Sequence, residues 1–264
     1  MSPVGITMVR RPRKLYLSTL MSDVILAAWH GGLGDNIQFS TLPEEFYKQQ
    51  GRETYLKDGS SFRNEGIYEL IWKHNPYIKG IKEGEWNAGD IPEIEYSNVS
   101  GTCISNWEKL HGLEPTNKYP KIYYKPKVSS EYSGVYLVDF TCISIDYDMG
   151  KLINKLKQLQ SEYSDMKFVE VTFSEDLSGD DGKYNQYDMN LEKLVINNIF
   201  DYYDIICSCS GLVALSSGAS HMSSAAKEHN KSLNSICIME ESWYNYHVNK
   251  GNLFIFDNID YQVI

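Results

Sequence analysis

Arginine is absent from this chain beyond Arg63, and the second half of the chain is acidic. Residues 1–128 carry sixteen Lys and Arg against fifteen Asp and Glu, whereas residues 129–264 carry nine against twenty. So acidic a second half is a poor general binder of nucleic acid, and any contact of that kind falls to the first half. The unequal charge also marks two modules. Cysteine is scarce and odd in number: Cys103, Cys142, Cys207, Cys209 and Cys237. Four of them lie in or beside apolar, strand-like stretches, which points to reduced, buried thiols in a cytoplasmic protein. Cys207-Ser208-Cys209 has no second Cys or His pair, so no metal site is expected. No apolar run approaches the ~18–20 residues that span a bilayer. The basic cluster Arg10, Arg11, Arg13 and Lys14 is followed only by Leu15 to Leu20, too short for a signal peptide. Residues 1–20 read as a flexible extension, with Met8 and Met21 as alternative starts, or as a weak anchor to an anionic surface.

What is present is 42% hydrophobic, enough for one large domain or two small ones. In the first half, Val24 to Trp29 reads as a buried parallel strand, Asp35 to Gln50 as a helix and Glu53 to Lys57 as a second strand. Ile67 to His74 has a helical period and stops at Asn75-Pro76; Ile78 to Ile81 is a third strand. Lys82 to Gly101 reads as loop, Ile104 to Leu110 as helix, and Ser129 to Gly134 as the linker. The rhythm then restarts. Strands are expected at Gly134–Phe140, Met166–Phe173, Asp204–Cys209, Ser235–Met239 and Leu253–Phe256. Helices are expected at Met149–Tyr163, Leu191–Phe200 and Met222–His229, the first with Leu152, Ile153, Leu156 and Leu159 on one stripe. Ser174 to Tyr187 is a Gly/Asp-rich loop. Strands alternating with helices in each half predict two doubly wound α/β domains facing each other.

Two stretches carry chemistry. The first is the turn His30-Gly31-Gly32-Leu33-Gly34-Asp35, where a strand passes into a helix. Its glycines let backbone approach a ligand, and Asp35 stands where the helix begins. Asp35 is either a helix N-cap or a functional carboxylate. The dinucleotide pattern G-x-G-x-x-G fails because position 37 is Ile, although Asp58 could act as a ribose partner. The second stretch runs from Ser208 to Ala226. There an apolar strand empties into Ser210-Gly211, and Ser216-Ser217-Gly218-Ala219-Ser220-His221 opens a helix of small residues. Backbone N–H groups, hydroxyls and one imidazole at a helix start make an anion site that needs no arginine. His221 is either a satisfied structural residue or part of that site. No G-x-S-x-G elbow is present, so a serine hydrolase is not indicated.

GGLGD ahead of an apolar helix, with a distal S-G-x-x-H opening a helix of small residues, resembles the family 9 glycosyltransferases, the lipopolysaccharide heptosyltransferase relatives. The resemblance runs from Val24 to Met239 in order of elements, though only the two motifs are specific. It implies a GT-B-like α/β fold, two Rossmann-like domains facing across a cleft. Residues 21–128 would form the acceptor side and residues 129–264 the nucleotide-sugar side. Asp35 then matches the family's catalytic base, and His30, Gly31, Gly32 and Gly34 its acceptor-side loop. Ser217, Gly218 and His221 match the loop that contacts the donor diphosphate, with Ser210, Gly211 and Ser216 beside them. Three departures stand out. Ser216 replaces an Asp, the chain is shorter than typical members and ends at Ile264, and no residue matches the family's phosphate-binding lysine, Lys183 being the nearest.

The activity implied is transfer of a sugar from a nucleotide-sugar to an acceptor hydroxyl, inverting and metal-independent, with no cofactor beyond the donor substrate. The acceptor expected by resemblance is a surface saccharide. The composition, rich in Tyr, Asn and Lys, also suits a phage-type enzyme that glycosylates hydroxymethylated pyrimidine in DNA, with Arg10 to Lys14, Lys121, Lys125 and Lys127 meeting the duplex. A third reading is a non-catalytic nucleotide-sugar-binding module.

Overall fold

The computed structural model describes residues 22–89, 101–142, 145–174, 177 and 185–264. The basic N-terminal extension, most of the expected Ser174–Tyr187 loop and Lys183 lie outside the described residues.

The first half opens with strand β1 (Val24–Ala27) and continues through helices α1 (Leu33–Phe39) and α2 (Leu42–Gln50) to β2 (Thr54–Lys57). Helix α3 (Glu65–Ile67) runs on in π-helical geometry over Tyr68–Lys73, followed by β3 (Ile78–Lys82), β4 (Ala88–Gly89) and α4 (Cys103–Leu110). The four strands form one parallel sheet in the order β3-β2-β1-β4. The single helix expected over Asp35–Gln50 is in fact two. Pro43 sits in the first turn of α2, a position that suits its missing N–H and fixed φ, so a new helix starts there. Ser40 ends α1, its hydroxyl donating to the Ile37 carbonyl.

The second half comprises β5 (Val135–Asp139), β6 (Thr141–Cys142), α5 (Met149–Glu162), β7 (Lys167–Phe173), β8 (Asn185–Gln186), β9 (Glu192–Ile196), α6 (Ile199–Ser208), β10 (Gly211–Leu215), α7 (Gly218–Ala226), β11 (Asn234–Met239), α8 (Glu241–Asn249) and β12 (Asp260–Val263). Six of these strands make a parallel sheet in the order β12-β11-β10-β5-β7-β9. Numbered within the half, that is the 3-2-1-4-5-6 order of a doubly wound nucleotide fold, with its reversal between β5 and β10. Ligands of such sheets bind outside the carboxyl ends of the strands at that reversal.

Three expected elements are corrected. Asp204–Cys209 is not a strand but the end of α6. Ile199, Tyr202, Tyr203 and Ile206, spaced at i, i+3, i+4 and i+7, are its buried stripe, and Asn198 caps it by accepting from the Asp201 N–H. Leu191–Phe200 is not a helix: Glu192–Ile196 pairs as the edge strand beside β7, where β-branched Val195 and Ile196 fit. Leu253–Phe256 is a turn, held by Leu253 N–H to the His247 carbonyl and by the Leu253 carbonyl to Cys103 N–H. The last strand is β12. Along α5, Leu152, Leu156 and Leu159 are buried and Ile153 only partly so. All five cysteines are buried free thiols.

One hydrophobic cluster runs through both halves. It joins Val24, Leu26, Ile37 and Phe46 to Leu137, Leu212, Ala219, Met222 and Leu253. The two halves therefore share a core at the level of α1 and α7.

Candidate active site

The first wall is the turn after β1. Gly32 is the residue at which α1 begins, so Asp35 is not the N-cap; it lies in the first helical turn. A β-carbon on Gly32 would fall 2.5 Å from Asp35 Oδ2 and 3.9 Å from Arg63 Nη2. The bare backbone of Gly32 is thus what lets the carboxylate fold back over the turn. Asn36, fully buried, holds the turn in shape. Its Nδ2 donates to the carbonyls of His30 (3.1 Å) and Gly32 (2.9 Å), and its Oδ1 accepts from Trp72 Nε1 at 2.7 Å. Arg63 N–H donates to the Gly31 carbonyl at 2.9 Å, which brings the last arginine of the chain to the same place.

The second wall is the end of β10 and the start of α7. Ser217 is the N-cap, its Oγ accepting from Ala219 N–H at 3.3 Å, and Ser220 closes the capping box. His221 lies one turn into α7, and its Nδ1 is 2.8 Å from the Ser217 carbonyl. A carbonyl only accepts, so Nδ1 carries the proton and Nε2 presents a lone pair. Nε2 is buried and has no hydrogen-bond partner among the described residues. Burial lowers the His221 pKa, against the opposing pull of the Ser217 carbonyl and the Asp35 charge. The imidazole is therefore neutral at pH 7. It offers an acceptor to a ligand O–H or N–H rather than a cation to a phosphate.

The two walls meet where α1 and α7 begin. A β-carbon on Gly34 would come within 3.4 Å of Gly218 Cα and of His221 Nδ1. Around this contact lies a cleft of about 300 Å³ lined by Gly32, Gly34, Asp35 and Arg63 from the first half and by Asp139, Ser216, Ser217, Gly218 and His221 from the second. It opens at the carboxyl ends of β5 and β10, the reversal in strand order. A side pocket of about 40 Å³ lies against it, lined by His30 and Asp35 among others.

Not every expected residue is here. Ser210 and Gly211 stand at the amino end of β10, roughly 15 Å of strand away from the cleft. Ser210 Oγ accepts from Gly134 N–H at 2.8 Å, and a β-carbon on Gly211 would enter the Tyr136 ring. Neither residue lines the cleft, because it is the end of β10 and not its beginning that reaches the site. Sequence reasoning missed two others. Arg63 reaches the cleft from a loop after β2. Asp139, at the carboxyl end of β5, accepts from Tyr202 Oη (2.5 Å), from Thr141 Oγ1 (2.5 Å) and from Thr141 N–H (3.0 Å). Burial raises its pKa, and those bonds only partly offset it. A strand-end acid with Thr two residues on was a visible signal; the position of Arg63 was not.

Among the described residues no cluster of three His, Cys, Asp or Glu is placed to hold a metal, and no helix is long and apolar enough to cross a membrane. Lys121, expected as a possible duplex contact, is paired with Glu44 at 2.6 Å.

No family model matches the chain, and no curated protein matches it. Solved structures do. The iron-containing, dodecameric heptosyltransferase TibC of enterotoxigenic Escherichia coli, in complex with ADP-D-β-D-heptose, aligns with a TM-score of 0.58 at 14% identity, over 90% of this chain and 61% of that one. The chain thus spans about three fifths of TibC. The E. coli heptosyltransferase WaaC with ADP aligns with a TM-score of 0.59 at 7% identity, over 92% of this chain and 93% of its own. A family 9 glycosyl transferase from Veillonella parvula aligns at 0.58 and 9%, over 92% and 85%. At such identities the likeness is one of fold. The chain has the GT-B fold of the heptosyltransferases, two Rossmann-like units with a cleft between them, as the two motifs led one to expect.

Proposed function

We propose that this chain transfers a glycosyl group from a nucleotide-sugar to an acceptor hydroxyl, with Asp35 as general base and the acceptor a saccharide. The observation that carries the reading is the shared cleft. Asp35 and His221, from opposite halves, line one cavity at the strand-order reversal of a nucleotide-binding sheet.

The donor diphosphate lies against the start of α7, where the helix dipole favours negative charge. Arg63 supplies a cation on the facing wall, the charge that residues 129–264 lack an arginine to provide. Both stabilise the leaving group as its charge develops. Neutral His221 accepts from a donor hydroxyl. The acceptor hydroxyl approaches from the side of Asp35, which takes its proton as the new glycosidic bond forms. Attack opposite the departing diphosphate inverts the anomeric centre. TibC and WaaC were solved with ADP-heptose and with ADP, so an ADP-linked sugar is the first donor to try.

A thermal-shift screen over nucleoside diphosphates and their sugars tests donor binding directly, since a ligand raises the melting point by mass action. Asp35→Asn should lower transfer on the order of 10²–10⁴-fold while the donor-induced shift persists. Near-normal transfer by that variant sinks the base assignment.

A further inference from the structure

Gln38 lies one turn beyond Asp35 on α1. Residues three apart share a helix face, with β-carbons roughly 5–6 Å apart. Asp35, Gln38 and Phe254 line both the large cleft and the side pocket, so they form the partition between the two. Gln38 is only 3% exposed. Its Nε2 is 3.3 Å from the Gly34 carbonyl. Because that carbonyl can only accept, it fixes which end of the amide faces it. Oε1 is the end left over, and it is buried without a hydrogen-bond partner among the described residues. Buried acceptors are almost always satisfied, so one left open on a residue that lines two pockets is a place for the hydrogen of a ligand or a water.

The partner of a carbonyl oxygen has to be an O–H or N–H. The side pocket, at about 40 Å³, has room for hydroxyl-sized groups and not for a sugar ring. Its lining joins the rings of Phe39, Trp107 and Phe254 and the Cys103 thiol to the polar groups of His30, Asp35 and Gln38. That pairing suits the edge of a sugar, with carbon-bound hydrogens on one side and hydroxyls on the other. We infer that Gln38 Oε1 receives the hydrogen of a second acceptor hydroxyl, next to the one whose proton Asp35 takes, and so selects saccharides that present a vicinal diol. This rests on the reading of Asp35 as base and deepens it. No bond changes at Gln38; it binds and orients. A diol sends its two O–H groups to two acceptors on one helix face, whereas an acceptor with an isolated hydroxyl leaves Oε1 empty.

The test uses the full chain, ADP-D-β-D-heptose as donor, and release of ADP as the readout. Methyl α-D-mannopyranoside is compared with its monodeoxy counterparts, and with a duplex containing 5-hydroxymethylcytosine. The wild type should favour the intact diol by about tenfold over the deoxy acceptor that lacks the neighbouring hydroxyl. Gln38→Leu should reduce that preference to less than twofold, mainly by raising KM for the diol. Gln38→Glu, which keeps an accepting oxygen, should retain it. If the leucine variant does not melt cooperatively, Gln38→Met is read in its place. A folded variant that keeps the wild-type preference overturns the inference and leaves the transferase reading standing. Transfer to the duplex but to none of the diols also overturns it. No ADP release with any acceptor, and no donor-induced rise in melting point, overturns the transferase reading and this inference with it.

Discussion

Gly34 and Gly218 touch at the floor of the cleft, one helix start against another. A β-carbon on Gly218 would stand 2.9 Å from Leu33 Cβ and 3.1 Å from Gly34 N. Neither neighbour is the loose end of a flexible side chain, so the backbone has to yield. Gly218→Ala should therefore destabilise by about 1–3 kcal/mol, as overpacking does. It should also lower transfer, because the same shift separates Asp35 from His221. Urea denaturation beside a donor-turnover assay checks both.

Asn36 is the residue that keeps the first turn closed. Asn36→Leu conserves volume but removes the acceptor of the buried Trp72 indole N–H and the side-chain donor to the His30 and Gly32 carbonyls, the latter keeping its bond from the backbone N–H of residue 36. Each orphaned buried group costs roughly 1–3 kcal/mol. The variant should lose on the order of 3 kcal/mol in chemical denaturation. A loss below 0.5 kcal/mol would show that water takes over the bonds.

His247 is fully buried among Trp243, Tyr246 and Phe254, and neither ring nitrogen has a hydrogen-bond partner among the described residues. Burial, with a smaller push from His221, lowers its pKa to about 4. An unfolded histidine takes up its proton near pH 6.5, so the unfolded chain binds more protons between pH 6.5 and 4. Stability contributed by neutral His247 is present above that window and is lost as pH falls through it. His247→Phe fits the aromatic surroundings and should flatten the fall in melting temperature between pH 7 and 5 without lowering the melting point at pH 7.5. Differential scanning calorimetry across that range decides it.

Glu44 also loses its contribution in acid, but as a charged group and at lower pH. Burial raises its pKa, but Lys121 at 2.6 Å, Lys48 at 2.5 Å and the Tyr123 hydroxyl at 2.7 Å outweigh burial and hold it at about 2. A carboxylate depressed in the folded state stabilises above its unfolded pKa, and that contribution is lost as pH falls from about 4.5 to about 2. Lys121→Met should cost about 1–2 kcal/mol at pH 7. The gap between variant and wild type should narrow as acid titrates Glu44. A gap that is constant from pH 7 to 2 would mean that Lys121 acts through packing alone.

Both helix starts were legible because glycine runs and Ser caps have local causes. GGLGD and SSGASH announce a strand-to-helix turn whatever lies around them. The strands beneath were legible where apolar runs were bounded by turns, as at β1, β5 and β11. Around Leu191–Cys209 the reading failed twice: Leu194–Ile196 is too short to show a period and sheet pairing decides it, and Asp204–Cys209 was cut off from the helical stripe of Ile199, Tyr202, Tyr203 and Ile206 to which it belongs. Asp35 was visible as a carboxylate at a helix start, but its fold-back over Gly32 was not. Arg63 and Gln38 were silent for a different reason. Arg63 stands in a loop with no motif around it, and Gln38, though it follows GGLGD, reads as an ordinary helical polar residue until the pockets beside α1 are in view.

The cluster that ties Ile37 and Phe46 to Leu212 and Met222 bears on how such a chain can be re-engineered. Two nucleotide folds joined by a linker invite modular exchange, a new acceptor half grafted onto an old donor half. Here the seam between them is itself hydrophobic interior, so a chimera has to be matched side chain by side chain along α1 and α7. A graft cut at residue 128 without that matching would expose the apolar seam and aggregate.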